Sequence, residues 1–180
     1  MKKSVIYTVG HSTRSIRDFI TLLRAHGVKE IADVRSMPMS RHNPQFNADA
    51  LKTSLRQKHI SYRHLEKLGG LRHAKKDSTN LGWRNASFRG FADYMATAEF
   101  SEGIAALMKM AGERETAVMC AEAVPWRCHR SLIGDALTVR GVRVEDIMSL
   151  NQAKIHSLTS FARVRGNRIT YPGGPADATV

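Results

Sequence analysis

The sequence predicts an α/β fold of three layers, in which a mostly parallel sheet is covered by helices on both faces. Short runs of β-branched and apolar residues alternate with segments whose apolar residues recur at helical spacing. The alternation runs from residue 5 to about residue 148 with no internal repeat. Alternating strands and helices bury their apolar faces most simply around one parallel sheet.

Val5-Ile6-Tyr7-Thr8-Val9 reads as the first strand, ended by Gly10. Ile16, Phe19, Ile20 and Leu23 then mark a helix, with Ser15 as its N-cap, Asp18 favouring its positive end and Gly27 closing it. Lys29 to Arg35 is the second strand, so the two form a βαβ unit with parallel strands. Ala48, Leu51 and Leu55 mark a second helix capped by Asn47, and Ile60 to Leu65 a short strand. A long polar stretch to Asn85 follows; a loop of that length is either disordered or functional. Phe88, Phe91, Ala92 and Met95 give one helical face, and Phe100, Ile104, Leu107, Met108 and Ala111 another, ended by Gly112. Thr116 to Cys120 is a buried strand and Leu132 to Leu137 an amphipathic helix, with Gly141 beyond it. Val142 to Val144 and Ile147-Met148 are one last strand or two short ones, and Arg168 to Tyr171 reads as an edge strand. The expected layout is Rossmann-like: a single domain over residues 1–172, then a flexible tail over 173–180 that begins with two glycines.

Composition narrows the function classes. No apolar run approaches the roughly 20 residues of a membrane span, so no membrane partner is expected. The chain begins basic and then apolar, as a signal peptide does, but the apolar part stops at Gly10-His11 and is taken as the first strand. Two cysteines without framework spacing point to a reducing, cytoplasmic setting. The net charge is +12, and residues 41–89 carry eleven Lys/Arg against three acids, which is 11 − 3 = 8 of those charges. Such a face either attracts polyanions or is a solvated basic surface.

The chemistry concentrates in the loops that follow strands, where an open α/β sheet binds ligands. Gly10-His11-Ser12-Thr13 offers a glycine turn, two hydroxyls and a helix start, which together favour an anion. It lacks both the glycine-rich dinucleotide pattern and a phosphate-loop lysine. Asp33 and Arg35 point to the same side of the second strand and can pair. Met119 to Ser131 holds two thiols, one carboxylate, one imidazole and two guanidiniums. Within it Glu122 is a candidate general base, and Cys128-His129-Arg130-Ser131 sits at a helix start that favours anions. A zinc site would want four ligands, and Cys120, Cys128 and His129 supply three, two of them adjacent, so no metal is expected. A phosphatase-like loop would need Arg six residues after Cys120, where Trp126 stands. Cys120 reads as a buried small thiol.

Thr8-Val9-Gly10-His11-Ser12-Thr13, Asp33-Val34-Arg35 with Pro38 and Ser40-Arg41, Pro44 to Asn47, Leu68-Gly69-Gly70, and Cys120-Ala121-Glu122 with Cys128 to Ser131 form a motif set. On these residues the chain resembles the domain-of-unknown-function family 488. The resemblance covers about residues 5–150 and implies a cytosolic α/β domain with no settled activity. Its motifs fall where one pocket would form, at the strand ends near Gly10, Arg35 and Cys120.

The leading expectation is an enzyme acting on a phosphorylated nucleoside or nucleic acid, with no cofactor. In it Glu122 and Asp33 do acid–base or sugar-hydroxyl work. Gly10, His11, Ser12, Thr13, Cys128, His129, Arg130 and Ser131 hold phosphate, while Arg35 and Arg41 steer the substrate. Candidate ligands are a nucleotide, a sugar phosphate or nucleic acid. Two alternatives stay open. One is a non-catalytic nucleic-acid module using the basic 41–89 face, with Tyr62, Trp83, Phe88 and Phe91 as stacking groups. The other is a thiol or metal protein using Cys120, Cys128 and His129.

Overall fold

A computed structural model describes residues 5–174; most of the expected tail lies outside the described residues. The strands are β1 (Val5–Gly10), β2 (Glu30–Asp33), β3 (Ser61–His64), β4 (Thr116–Cys120), β5 (Arg143–Ser149) and β6 (Gln152–Ile155), with a hairpin of β7 (Arg163–Arg165) and β8 (Arg168–Thr170). The helices are α1 (Ile16–Ala25), α2 (Ala48–Arg56), α3 (Ala86–Tyr94), α4 (Ala98–Glu113) and α5 (Arg130–Thr138). The six-stranded sheet runs β3-β2-β4-β1-β5-β6, with β1 to β5 parallel and β6 antiparallel on β5.

Strands β2 and β4 are buried at every residue, as strands covered on both faces must be. Alternate residues feed two cores. Val118 and Cys120 join Phe91, Phe100, Leu107 and Leu132 under α3, α4 and α5. Ala117 and Met119 join Phe19, Leu23, Leu51 and Leu55 under α1 and α2. The helices leaving β1 and β4 therefore diverge to opposite faces although the two strands are neighbours. That divergence opens a crevice at their carboxyl ends, the usual ligand position in such sheets.

Local chemistry sets the element ends. Ser15 Oγ accepts from Asp18 N at 3.0 Å and starts α1, and Gly27 takes φ +70° beyond its end. Asn47 holds the cap position of α2, but its Oδ1 is spent on Ser40 N at 2.7 Å and caps nothing. Gly112 does not end its helix: α4 continues to Glu113, since a glycine needing no positive φ is tolerated near a helix end. The edges of the sheet are β3 and β6, and the expected edge strand at 168–171 pairs instead with β7 in a separate hairpin.

The long polar loop is tied down by one carboxylate. Asp93 of α3 accepts from Lys75 N at 2.8 Å, Ser78 Oγ at 2.6 Å and Asn80 Nδ2 at 2.8 Å. Asn80 in turn accepts from Tyr171 N, joining the loop to the C-terminal hairpin. The aromatics proposed for base stacking are mostly spent on packing. Phe91 is fully buried, Trp83 lies against Phe88, Phe161 and Tyr171, and Tyr62 donates to Asp33.

Candidate functional site

Backbone pairing continues past the strands and shapes the crevice. His11 N donates to Cys120 O at 3.0 Å and Ser12 N to Ala121 O at 2.9 Å, extending the β1–β4 ladder into the loops. Gly10 is required here, because a Cβ at that position would lie 1.7 Å from Glu122 O. These bonds overturn the expectation for Gly10 to Thr13 as an anion cradle. The N–H groups of His11 and Ser12 are consumed by β4's loop, and α1 begins only at Ile16 under its own cap. Thr13 is exposed, and neither Ser12 nor Thr13 lines the crevice.

The resulting cleft holds about 540 Å³. Its charged groups, imidazoles and thiols are His11, Arg35, Cys120, Glu122, Arg127, Cys128 and His129, and Ser36, Ser40 and Ser87 also line it. Met37, Met39, Leu71 and Phe88 supply its apolar wall. Met37, Met39 and Leu71 are 68–75% exposed, so apolar surface stands open beside the charged groups.

Arg35 is the most tightly held of them. Its Nε and backbone N donate to Asp33 Oδ1 at 3.0 Å each, and its Nη2 donates to Asp33 Oδ2 at 2.6 Å. Tyr62 Oη adds a fourth donor, at 2.7 Å to Oδ2. His64 Nε2 donates to Arg35 O at 2.7 Å. Asp33 is fully buried with both oxygens occupied. It therefore has no free lone pair for acid–base work on a ligand, contrary to its expected catalytic role, and it positions Arg35 instead. Bidentate pairing of this kind fixes direction as well as charge.

His11 lies flat on Phe46, with ring centroids 4.1 Å apart. Its Nδ1 donates to Ser12 O at 2.8 Å, which leaves Nε2 as an acceptor 3.4 Å from Arg35 Nη1. Burial pushes its pKa down, so the ring is neutral at pH 7. His129 is likewise neutral, pushed down to about 4 by burial. Its Nε2 proton is shared between Val34 O and Leu68 O at 3.0 Å each, and its Nδ1 faces Cys128 Sγ at 3.4 Å. With its one proton committed, His129 is not the phosphate donor expected; it ties the β2 loop to α5.

The remaining expected residues divide. Ser131 Oγ donates to Cys128 O and lies in a different cavity. Arg41 is exposed and outside the cleft wall. Arg130 is buried and is not part of the cleft lining. Glu122 is exposed in the wall, and its carboxylate makes no hydrogen bond or ion pair among the described residues. Glu122→Gln should therefore leave unfolding free energy within about 0.5 kcal/mol of the wild type, as surface changes without partners do. A loss above about 1 kcal/mol in denaturant titration would reveal a structural partner.

Reading the sequence assigns no role to Met37, Met39 or Arg127, which no local pattern marks; it places Phe46 only within a motif and Tyr62 only as a stacking group, not as the partners of His11 and Asp33. Among the described residues no group of three or more His, Cys, Asp or Glu side chains converges as metal ligands would.

Fold and cleft together define an α/β protein with a charged crevice at the point where helices leave adjacent strands for opposite faces. A family model described as "Domain of unknown function DUF488" matches residues 15–137, more than half of the chain, and the protein belongs to that family. No curated protein and no solved structure matches the chain. No helix among the described residues is long and apolar enough to cross a membrane.

Proposed function

We propose that the cleft binds a phosphorylated nucleoside, or a phosphorylated end of nucleic acid, and acts on it as an enzyme. The observation that carries this reading is the fixed guanidinium of Arg35, held on one edge by Asp33 with Nη1 left toward His11 and the cleft. Arg127 adds a second, exposed cation to the cleft lining. Met37, Met39, Leu71 and Phe88 offer a flat apolar wall to a base or sugar, and Glu122 is the free carboxylate able to accept a proton. The basic 41–89 segment forms part of the cleft mouth through Gly70, Leu71, Ser87 and Phe88, so its charge draws anions toward this opening.

Titration calorimetry at low salt with nucleoside monophosphates and their parent nucleosides tests the reading. Phosphorylated forms should bind more tightly, and Arg127→Ala should weaken them by about tenfold, the scale of one charge-assisted contact, without lowering stability. Equal affinity for phosphorylated and free nucleosides, or none for either, removes this function. Steeply salt-dependent binding of oligonucleotides alone would favour the nucleic-acid module. Once a turned-over substrate is in hand, Glu122→Gln should cut turnover by roughly 10²-fold.

A further inference from the structure

Next to the cleft-lining residues Cys128 and His129 lies a buried charge that anion binding at Arg35 and Arg127 leaves unused. Arg130, the first residue of α5, is 1% exposed, yet its Nε and Nη1 have no hydrogen-bond partner. Its Nη2 makes only a long donation of 3.5 Å to Ala123 O. Among the described residues it makes no ion pair. A guanidinium taken out of water without a counter-charge is strongly unfavourable, so a negative group belongs beside it. The two thiols lie in the same place. Cys120 ends β4, Cys128 precedes α5, both are free and buried, both line the cleft, and both pack in the core beneath α5.

We propose that Cys120 is the nucleophile of the cleft, its sulfur carrying the negative charge that balances the buried Arg130 guanidinium. This rests on the cleft being the ligand site, as proposed above, and not on which ligand fills it. The two sulfurs are not equivalent. The Cys128 S–H has an acceptor in His129 Nδ1 at 3.4 Å, because the other ring nitrogen already donates to Val34 O and Leu68 O, so Cys128 keeps its proton. Arg130 N also points at Cys128 Sγ, at 3.5 Å, at the positive end of α5. The neighbouring Cys128 thiol pulls the Cys120 thiol pKa down against the cost of burial, and the Arg130 charge helps. The proximity of Cys120, with burial, pushes the Cys128 thiol up. Glu122 in the β4–α5 loop opposes ionisation. His129 and His11 are neutral, and Arg35 stands across the cleft. Without ionisation, the Cys120 S–H has a single weak acceptor, Glu122 O at 3.8 Å.

In the covalent step the Cys120 sulfur forms a bond to the electrophilic atom of the ligand, and the leaving group departs with its bonding electron pair. No base is needed, because the sulfur is already ionised. Iodoacetamide serves as the probe: an S–C bond forms, the C–I bond breaks and iodide leaves.

The ultraviolet absorbance of thiolate, followed against pH on the reduced full chain, counts ionised sulfur without requiring access to it. One thiolate should appear below the ordinary thiol value of about 8.5. The first ionisation belongs to the coupled pair, so variants assign it. It should vanish in Cys120→Ser and persist in Cys128→Ser, whose hydroxyl still donates. Iodoacetamide followed by peptide mass spectrometry should label Cys120 ahead of Cys128. Arg130→Met should shift the pH profile of labelling upward by about one unit, so that labelling slows about tenfold at pH values below the wild-type thiol pKa. Absorbance appearing only at the ordinary value, loss with Cys128→Ser rather than Cys120→Ser, or an unchanged titration in folded Arg130→Met overturns the assignment. If Arg130→Met does not fold, the titrations of the wild type and the two serine variants decide it. Nucleotide protection is scored separately: a thiolate that nucleotides do not protect leaves Cys120 standing and removes the nucleotide, while protection without a thiolate does the reverse.

Discussion

Raising the pH from about 6.5 to about 9 should remove on the order of 2–3 kcal/mol of stability through one residue, His156. His156 bridges two buried carboxylates, with Nε2 2.9 Å from Asp135 Oδ1 and Nδ1 3.3 Å from Asp146 Oδ2. Asp135 also accepts from Tyr171 Oη at 2.8 Å and Thr159 N at 3.1 Å, and Asp146 accepts from Thr8 Oγ1. Burial by itself would discharge the ring. The hydrogen bonds and charges of the two aspartates override burial and hold its pKa up at about 9. A pKa raised on folding stabilises fully below the unfolded value and is lost as pH rises through the folded value. The window therefore runs from about 6.5 to about 9. His156→Ala should cost about 3–5 kcal/mol at pH 6.5, because it leaves two carboxylates buried without their cation. It should also flatten the pH slope in that window. Denaturant titrations at pH 6.5, 7.5 and 9 on both proteins read both effects. A wild-type curve that is level across the window would show the imidazole to be neutral and the bridge to be ordinary hydrogen bonding.

Asp33→Ala should cost about 3–5 kcal/mol as well, and it should empty the cleft of its fixed cation. The carboxylate is fully buried and carries four donors, three of them from Arg35, itself only 7% exposed. Removing it strands a guanidinium that has no other acidic partner among the described residues. Asp33→Asn retains one acceptor oxygen but turns an amide N–H₂ toward donors, so it too should destabilise. Tyr62→Phe should cost only about 1 kcal/mol, the usual value of one neutral donor's hydrogen bond. Paired denaturation and ligand-binding curves separate two roles. A general base at Asp33 would give a stable and inactive Asp33→Asn, whereas a positioning carboxylate gives an unstable protein that binds poorly. Stability within about 1 kcal/mol of the wild type in Asp33→Asn would return Asp33 to the list of reacting groups.

The two clusters occupy different parts of one sheet and do different work. The bridge through His156 fastens α5 to β5 and to the C-terminal segment, and Gly134 lets the ring lie against the helix. The pair of Asp33 and Arg35 faces the cleft. Stability changes at His156 should therefore leave ligand affinity per folded molecule largely intact, while those at Asp33 should not.

What the sequence determined by itself was local and periodic. Alternation of apolar runs with helical spacing set the α/β class. Ser15 set the start of α1, and Cys120 was legible as the last residue of a buried strand because the charged Glu122 follows two residues on. Asp33 and Arg35 could be paired from sequence because residues two apart on a strand share a side. Only the tertiary structure decided the sheet order, which inserts β4 between β1 and β2 and so sets Gly10 beside Cys120 and Asp33 beside Met119. It alone decided which N–H groups were free: the loop after β1 looked like an anion cradle until its donors met the carbonyls of β4's loop. The bridge of Thr8, Asp135, Asp146, His156 and Tyr171 draws on five separate stretches of chain. Periodicity reports only which face of an element is apolar. Which polar groups meet depends on long-range packing, and no spacing within the chain records it.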